Sequence, residues 1–211
     1  MTASVHTAAR THPIVALSVL EAVRNVDYVP DDGHDDFHKE LASKRLGMSH
    51  TVATQIERYR RLLRRGTRVE SGEIEGILRL VGRREDAAQV FEEAGRRAAR
   101  FATARLSLPS RLLHRGLPRF ARRRLGVTLA RRLMSRAFGL AVNAGPAGVT
   151  ASVDDSLPAR ATPNGVACGL YATALDELLR TLADFRGVVS HPSCRARGDA
   201  GCRWQAEEER A

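Results

Sequence analysis

The sequence predicts an α+β fold, in which helices pack on a small antiparallel sheet. Two observations lead to this prediction. Apolar residues recur at steps of three and four through several segments before residue 139, which is the period of an amphipathic helix. After that residue, short segments containing β-branched residues alternate with turns and with one more helical segment. The order of helices, hairpin, helix and hairpin is typical of an antiparallel sheet.

The composition is that of a globular protein. The chain has 211 residues, 43% of them hydrophobic, and a formal net charge of +10. A disordered chain would carry fewer apolar residues for this charge. A small secreted domain held by disulfides would carry more than the three cysteines present, and in even number.

The sequence predicts no membrane span and a cytoplasmic location. The most apolar stretch near the start, Pro13 to Leu20, is far shorter than the roughly 20 residues that cross a bilayer. It is also a poor signal peptide, since no small-x-small cleavage site follows it. In a reducing compartment, clustered cysteines indicate metal binding or catalysis rather than disulfides.

The first 70 residues are interpreted as an N-terminal helical extension, and residues 71–207 as the main domain. A helix is predicted from Pro13 to about Val26, and the turn-forming residues from Tyr28 to Gly33 end it. A second helix is predicted from about Phe37 to Arg65, because apolar residues there recur at helical spacing.

Three further helices are predicted in the first part of the main domain. Ser71 can cap a short helix that ends at Gly82. A longer helix runs from about Glu85 to Arg105, with acids early and arginines late, as the helix dipole favours. The third helix is predicted from residue 120 to 137.

Two strand pairs flank the last predicted helix. Residues 139–142 and 148–153 form the first pair, separated by a turn-forming stretch from Asn143 to Pro146. A helix follows from Gly165 to about Asp184. Residues 187–191 and 201–205 are the last two predicted strands.

All three cysteines lie near the end of the chain, together with one histidine. They are Cys168, Cys194 and Cys202, and His191 lies three positions before Cys194. Three thiolates and one imidazole form a complete tetrahedral ligand set for structural zinc. The alternative is that these cysteines are small buried apolar side chains and that the histidine is incidental. A reactive cysteine nucleophile is disfavoured, since a zinc-bound thiolate is not free to attack.

The end of the chain resembles the 4-vinyl reductase domain family. That family closes on a signature of the form Cys-x-Ala-x-Gly-Asp-x-x-Cys-x-aromatic. The residues that fit it here are Cys194, Ala196, Gly198, Asp199, Cys202 and Trp204. The segments Cys168 to Tyr171 and Glu177 to Leu179 extend the resemblance to the preceding helix. Residues 1–70 find no support from it.

The resemblance implies a bacterial protein with the α/β fold shared by transport protein particle subunits. Domains of this family occur in proteins of bacteriochlorophyll synthesis and in the sensors of aromatic-catabolism activators. In those sensors cysteines and an acidic residue hold a structural zinc. The matching cysteines would be Cys168, Cys194 and Cys202, while His191 stands where a glutamate is usual. Imidazole is an equally good zinc ligand.

The leading functional prediction is a zinc-stabilised domain that binds or senses a small apolar or aromatic molecule between its helices and its sheet. Met134, Phe138 and Tyr171 are the predicted lining residues, although core packing explains them equally well. A zinc ion with four protein ligands has no open position for catalysis, so an enzyme is the less favoured interpretation.

Two alternatives stay open. One is an accessory or enzymatic role in 4-vinyl reduction of a tetrapyrrole, for which a partner must supply electrons because the chain has no glycine-rich nucleotide loop. The other is a DNA-binding regulator that uses residues 40–66 or the stretch from Arg96 to Arg136, which holds 13 arginines and no acid. A solvated face explains that stretch as well. A homodimer is also open.

Overall fold

The computed structural model describes residues 9–28, 47, 49–106, 118–145 and 148–208. Seven helical segments of these ranges carry the labels α1 to α7. They are α1 (Ile14–Val26), α2 (His50–Arg65), α3 (Ser71–Val81), α4 (Ala87–Ala104), α5 (Arg119–Phe138), α6 (Leu157–Ala161) and α7 (Gly169–Ala183). The single turns Val166–Cys168 and Arg195–Arg197 are 3₁₀ helices.

Helix α1 lies at the centre of the helical layer. Every residue from Ile14 to Val23 is buried, and the helix packs against α2, α3 and α4. Glu21, on this buried stretch, is only 5% exposed and accepts hydrogen bonds from Arg60 of α2 at 2.7 Å and Arg97 of α4 at 3.5 Å. A buried carboxylate is tolerated only when it is paired in this way.

Helix α7 packs between α4 and α5, and two glycines allow the close approach. A Cβ atom on Gly95 of α4 would lie 2.5 Å from the carbonyl oxygen of Leu170. A Cβ atom on Gly126 of α5 would lie 2.0 Å from that of Leu182. Because real Cβ atoms do not approach backbone oxygens so closely, any larger residue would force these helices apart.

Four strands form an antiparallel sheet in the order β3-β4-β6-β5. They are β3 (Ala141–Gly145), β4 (Gly148–Val153), β5 (Gly187–Ser193) and β6 (Cys202–Glu208). Two further strands, β1 (Arg10–Thr11) and β2 (Val69–Glu70), make a separate short ladder. The buried sheet residues alternate along β4 and β6, and the Trp204 ring of β6 contacts Tyr171 of α7.

The structure confirms the mixed class of helices with small antiparallel sheets, and most predicted elements. Two predictions are wrong. The strand predicted at residues 139–142 is Ala141–Gly145, so Asn143 and Gly145 belong to β3 and not to the turn. The helix predicted from Phe37 to Arg65 cannot be continuous, because Ser49 has an extended backbone and caps α2 by accepting a hydrogen bond from the Val52 amide at 3.3 Å. The rest of that segment before Ser49, Gly47 apart, falls outside the described residues. The boundary at residue 70 stays a prediction, and the described core runs across it.

Within the described ranges, none of the helices combines the length and the apolar character that a membrane span requires.

Candidate metal centre

The structure brings the four predicted ligands together. One ligand atom from each of Cys168, His191, Cys194 and Cys202 lies within 4.8 Å of the other three, so the group could hold a metal ion. The Sγ atoms of Cys168 and Cys194 are 3.8 Å apart. Two thiolates bonded tetrahedrally to one ion at about 2.3 Å would themselves be about 3.8 Å apart. The spacing of this pair therefore fits a shared metal, and it also fits a direct contact between two thiols.

Each ligand comes from a different part of the fold. Cys168 ends a 3₁₀ turn and directly precedes α7. His191 lies on β5, Cys194 follows the end of that strand, and Cys202 is the first residue of β6. The cluster therefore joins the start of α7 to the two strands at one end of the sheet.

An irregularity in the pairing of β5 with β6 lies at His191, close to the three cysteines. Ser190 pairs with Gln205 and Ser193 pairs with Arg203, so β5 has one residue more than β6 between these two pairs. Such a bulge changes the direction of the side chains beside it. Pro192, which has no amide hydrogen for the ladder, lies within the irregular stretch. The bulge thus lets His191 reach the cysteines while β5 stays paired.

The imidazole of His191 is oriented for a ligand. Its ring stacks on Trp204 with centroids 4.8 Å apart and planes 4° from parallel. Its Nε2 is buried and has no hydrogen-bond partner among the described residues. Because a buried polar nitrogen without a partner is costly, coordination of a metal by Nε2 would satisfy this atom. Burial, and then the charge of Arg197, lower the pKa of His191 and favour the neutral form that binds metals.

Backbone hydrogen bonds hold the loop between Cys194 and Cys202. The Cys194 amide donates to Oδ2 of Asp199 at 2.6 Å, and the Arg197 amide donates to the Cys194 carbonyl at 2.8 Å. The Arg195 amide points at Sγ of Cys202, 3.4 Å away. Gly198 completes the turn with a φ of 96°. An amide directed at a thiolate sulfur stabilises its negative charge.

The three sulfurs are buried, and this affects their ionisation. Cys168 is 0% exposed, while Cys194 and Cys202 are each 1% exposed. Burial raises the pKa of the Cys168 thiol, and the neighbouring Cys194 and Cys202 raise it further. Several thiolates cannot stay ionised together in a buried site without a cation. The arrangement is thus suited to thiolates that share a bound metal.

One glycine is in contact with the cluster. Gly165 has a φ of 70°, and a Cβ atom there would lie 2.9 Å from Sγ of Cys194. The sequence places this glycine only at the start of a helix, so its closeness to the sulfur was not predicted. The stacking of His191 on Trp204 was also missed, although both residues belong to the segment that carries the resemblance.

The predicted ligand-lining residues form part of the packed interior. Met134, Phe138 and Tyr171 are 0%, 6% and 2% exposed. The Phe138 and Tyr171 rings meet edge to face at 5.3 Å, and Tyr171 meets Trp204 in the same way at 5.6 Å. These rings form a chain of contacts that reaches Trp204, the ring stacked on His191. Their contact with a ligand stays a prediction.

A groove lies elsewhere, between the first half of α5, the end of α7 and the sheet. Two adjoining cavities of about 540 and 920 Å³ share six lining residues. The shared set is Arg123, Val127, Gly145, Gly148, Val149 and Ala183. Phe120, which is 71% exposed, lines the larger cavity. Periodicity alone did not reveal this groove, because it depends on how α5 is placed over the sheet.

Comparisons of the chain with protein families, with curated proteins and with solved structures find no match.

Proposed function

We propose that the chain is a small-molecule-binding domain in which a structural zinc ion is held by Cys168, His191, Cys194 and Cys202. The observation that carries the metal part is the convergence of the four ligand atoms within 4.8 Å, with a sulfur–sulfur distance of 3.8 Å. The proposed role of the ion is to fasten the start of α7 to β5 and β6.

The donor set favours zinc over other ions. Three thiolates and one imidazole are soft or borderline ligands, which calcium, magnesium and manganese do not prefer. A four-coordinate Cys₃His site is a common structural zinc arrangement. With four protein ligands, the ion has no open position, so its contribution is to folding and not to catalysis.

The groove beside α5 is the proposed binding site for an apolar or aromatic molecule. Its volume is in the range of small-molecule sites, which are concave and largely apolar with a few polar groups. Val127, Val149 and Ala183 provide apolar surface there, and Arg123 lies at the edge. The metal centre supports the groove from a distance, because β6 runs from Cys202 to Glu208, a residue that lines it.

Membership of the 4-vinyl reductase domain family is part of this proposal. What supports it is the role of the signature residues in the structure. Cys194 and Cys202 supply sulfurs, Asp199 binds the Cys194 amide, and Trp204 stacks on the fourth ligand. These contacts support the resemblance beyond the agreement of residue types, because the named residues lie at or beside one cluster. A sensor of small aromatic molecules in the cytoplasm is the corresponding function.

Measurement of the metal content tests the proposed zinc site. Protein purified without added metal should contain one zinc per chain by elemental analysis, and Cys194→Ser should lose it. Ser193→Ala is the matched control, because it changes the neighbouring residue and leaves all four ligands. Cobalt substituted for zinc should show the absorption of a tetrahedral thiolate site. Wild-type protein without metal, or a Cys194→Ser variant with full zinc content, would contradict the proposal.

The tryptophan offers an independent readout of the same site. Trp204 is the only tryptophan in the chain, and its ring stacks on His191. Removing zinc with a chelator should therefore change its fluorescence, and adding zinc back should restore it. Unchanged emission during complete metal loss would show that His191 is not a ligand.

A pair of strand variants tests the groove. Ala144 lines the larger cavity, whereas its neighbour Asn143 points to the opposite face of the sheet. Ala144→Phe should weaken the binding of aromatic and tetrapyrrole compounds in a fluorescence titration, and Asn143→Phe should leave it unchanged. Equal binding by both variants would place the ligand elsewhere.

A further inference from the structure

Helix α5 carries an unusual distribution of charge. Its 20 residues include seven arginines and no acid. Five of these arginines are exposed, and four of the five fall at helical spacing on one side of the helix, together with Thr128 and Ser135. They are Arg124, Arg131, Arg132 and Arg136, and they are termed the arginine face.

Other helices of the described chain pair arginines with acids on the same helix. Arg79 binds Glu75 on α3 at 2.7 Å, and Arg180 binds Asp176 on α7 at 2.7 Å. On α4, Arg97 binds Glu93 at 2.9 Å. In the part of the chain that the structure describes, no carboxylate forms an ion pair with any member of the arginine face.

This concentration of charge has a cost within the isolated protein. Arg132 and Arg136 are four residues apart, a spacing at which like charges destabilise a helix. The arginines also begin in the first turn of α5, where the helix dipole favours acids. The adjoining strands β3 and β4 contain no acid that could reduce the potential. A partner with many negative charges would relieve this repulsion.

We infer that the arginine face binds the phosphate backbone of double-stranded DNA without sequence preference. Guanidinium groups bind phosphate oxygens in a two-point geometry. From Arg124 to Arg136 the face is about 18 Å long at 1.5 Å per residue, which is enough to contact several phosphates. The arginine face is separate from the metal centre and does not depend on the proposed zinc ion, although its Arg124 also lines the larger cavity of the groove.

The surroundings favour duplex DNA over other polyanions. Binding of single strands relies on aromatic side chains that stack on bases, and Phe120 is the only exposed aromatic residue of the described part of α5. A membrane-surface helix inserts its apolar side, whereas here Met134 and Ala137 are buried in the core. The major groove of B-DNA is wide enough to admit a helix, so phosphates on both sides of the groove lie within reach of the arginine face.

Two variants with equal net charge test the inference. In one, Arg131, Arg132 and Arg136 of the arginine face are changed to Gln. In the control, three exposed arginines of α2 are changed to Gln, namely Arg61, Arg64 and Arg65. Fluorescence anisotropy would measure the affinity of each full-length protein for a labelled 20-base-pair duplex at several salt concentrations. Zinc content and urea unfolding would verify that both variants fold.

The salt dependence gives the expected magnitude. Four phosphate contacts predict a slope of about −3.6 for log affinity against log salt, or about 150-fold weaker binding at 200 mM than at 50 mM salt. The arginine-face variant, with one contact left, should show a slope of about −0.9 and a loss of only about 3.5-fold over the same range. The α2 control should keep the slope of the unmodified protein.

Three results would overturn the inference. Equal slopes for the two variants would show that bulk charge, and not the arginine face, binds DNA. If the unmodified protein does not bind the duplex at 50 mM salt, double-stranded DNA is excluded as the partner. Stronger binding to vesicles of phosphatidylserine or to duplex RNA, lost in the arginine-face variant alone, would assign the face to that partner instead.

Discussion

Gly165→Ala should weaken metal binding without removing any ligand. Gly165 has φ and ψ angles of 70° and 12°, and an added Cβ atom would lie 2.9 Å from Sγ of Cys194 and 3.3 Å from Cβ of Ala196. The substitution therefore has two effects. It strains the backbone, and it presses on a proposed metal ligand.

The size of each effect follows from the geometry. An alanine in the left-handed region costs about 1–2 kcal/mol of folding free energy. Ordinary non-bonded contacts are about 3.5–4.0 Å, so the Cys194 sulfur would have to move by about 0.6–1 Å, whereas metal–ligand distances tolerate about 0.2 Å. We expect the zinc affinity to fall by about 10–100-fold, the usual effect of disturbing the residues that support a ligand.

Gly66→Ala separates the two effects. Gly66, at the end of α2, has nearly the same backbone angles, 67° and 17°, and a Cβ atom there would meet nothing within 4 Å. Both variants should lose similar stability from the backbone, measured by urea unfolding with zinc in excess. Only Gly165→Ala should lose zinc more readily to a competing chelator dye. Identical zinc affinities in the two variants would refute the assignment of Cys194 to a tightly packed metal site.

Three other predictions concern the helical layer. Gly126→Ala should destabilise the protein by about 1–3 kcal/mol, because its Cβ atom would collide with the Leu182 carbonyl; Gly76→Ala on α3, where the space is open, should be neutral or stabilising in the same urea titration. Glu21→Gln should cost about 1.5–3 kcal/mol in urea unfolding, since two arginines lose their charged acceptor, and an unchanged midpoint would contradict this. Burial, followed by nearby arginines, lowers the pKa of His12 from 6.5 to about 4. The free energy of unfolding should therefore be highest above pH 6.5 and should decrease as the pH falls from 6.5 to 4, because only the unfolded chain binds the His12 proton there. His12→Gln should lack this decrease. The same pH dependence in both proteins would show that the pKa of His12 is ordinary.

Local sequence patterns predicted helices and strands best where the residues within the segment determine its structure. Helix α3 ends before Gly82, as predicted, and it begins at Ser71, although Glu70 and not Ser71 occupies the N-cap position. The pairing of β3 with β4 was predicted, although Asn143 to Gly145, predicted as a turn, extend β3 instead. The prediction of a continuous helix across Ser49 was wrong. A serine can lie within a helix or cap its start, and the sequence alone does not distinguish the two positions.

The candidate metal cluster was predictable because all three cysteines lie near the end of the chain and His191 lies three positions before Cys194. The sequence could not predict contacts between residues that are distant in the chain. Spacing alone gives no sign that Gly165 contacts the Cys194 sulfur, since this contact joins two segments. The groove beside Phe120 and Val149 likewise depends on the packing of α5 over the sheet.

The order of strands has a consequence for how the protein is made. Strand β6 lies between β4 and β5, yet it is the last of the four to leave the ribosome. Until then β4 and β5 have no common neighbour, and Cys168, His191 and Cys194 lack the fourth ligand. The sheet and the metal cluster therefore become complete at the same moment of synthesis, when residues 202–208 emerge.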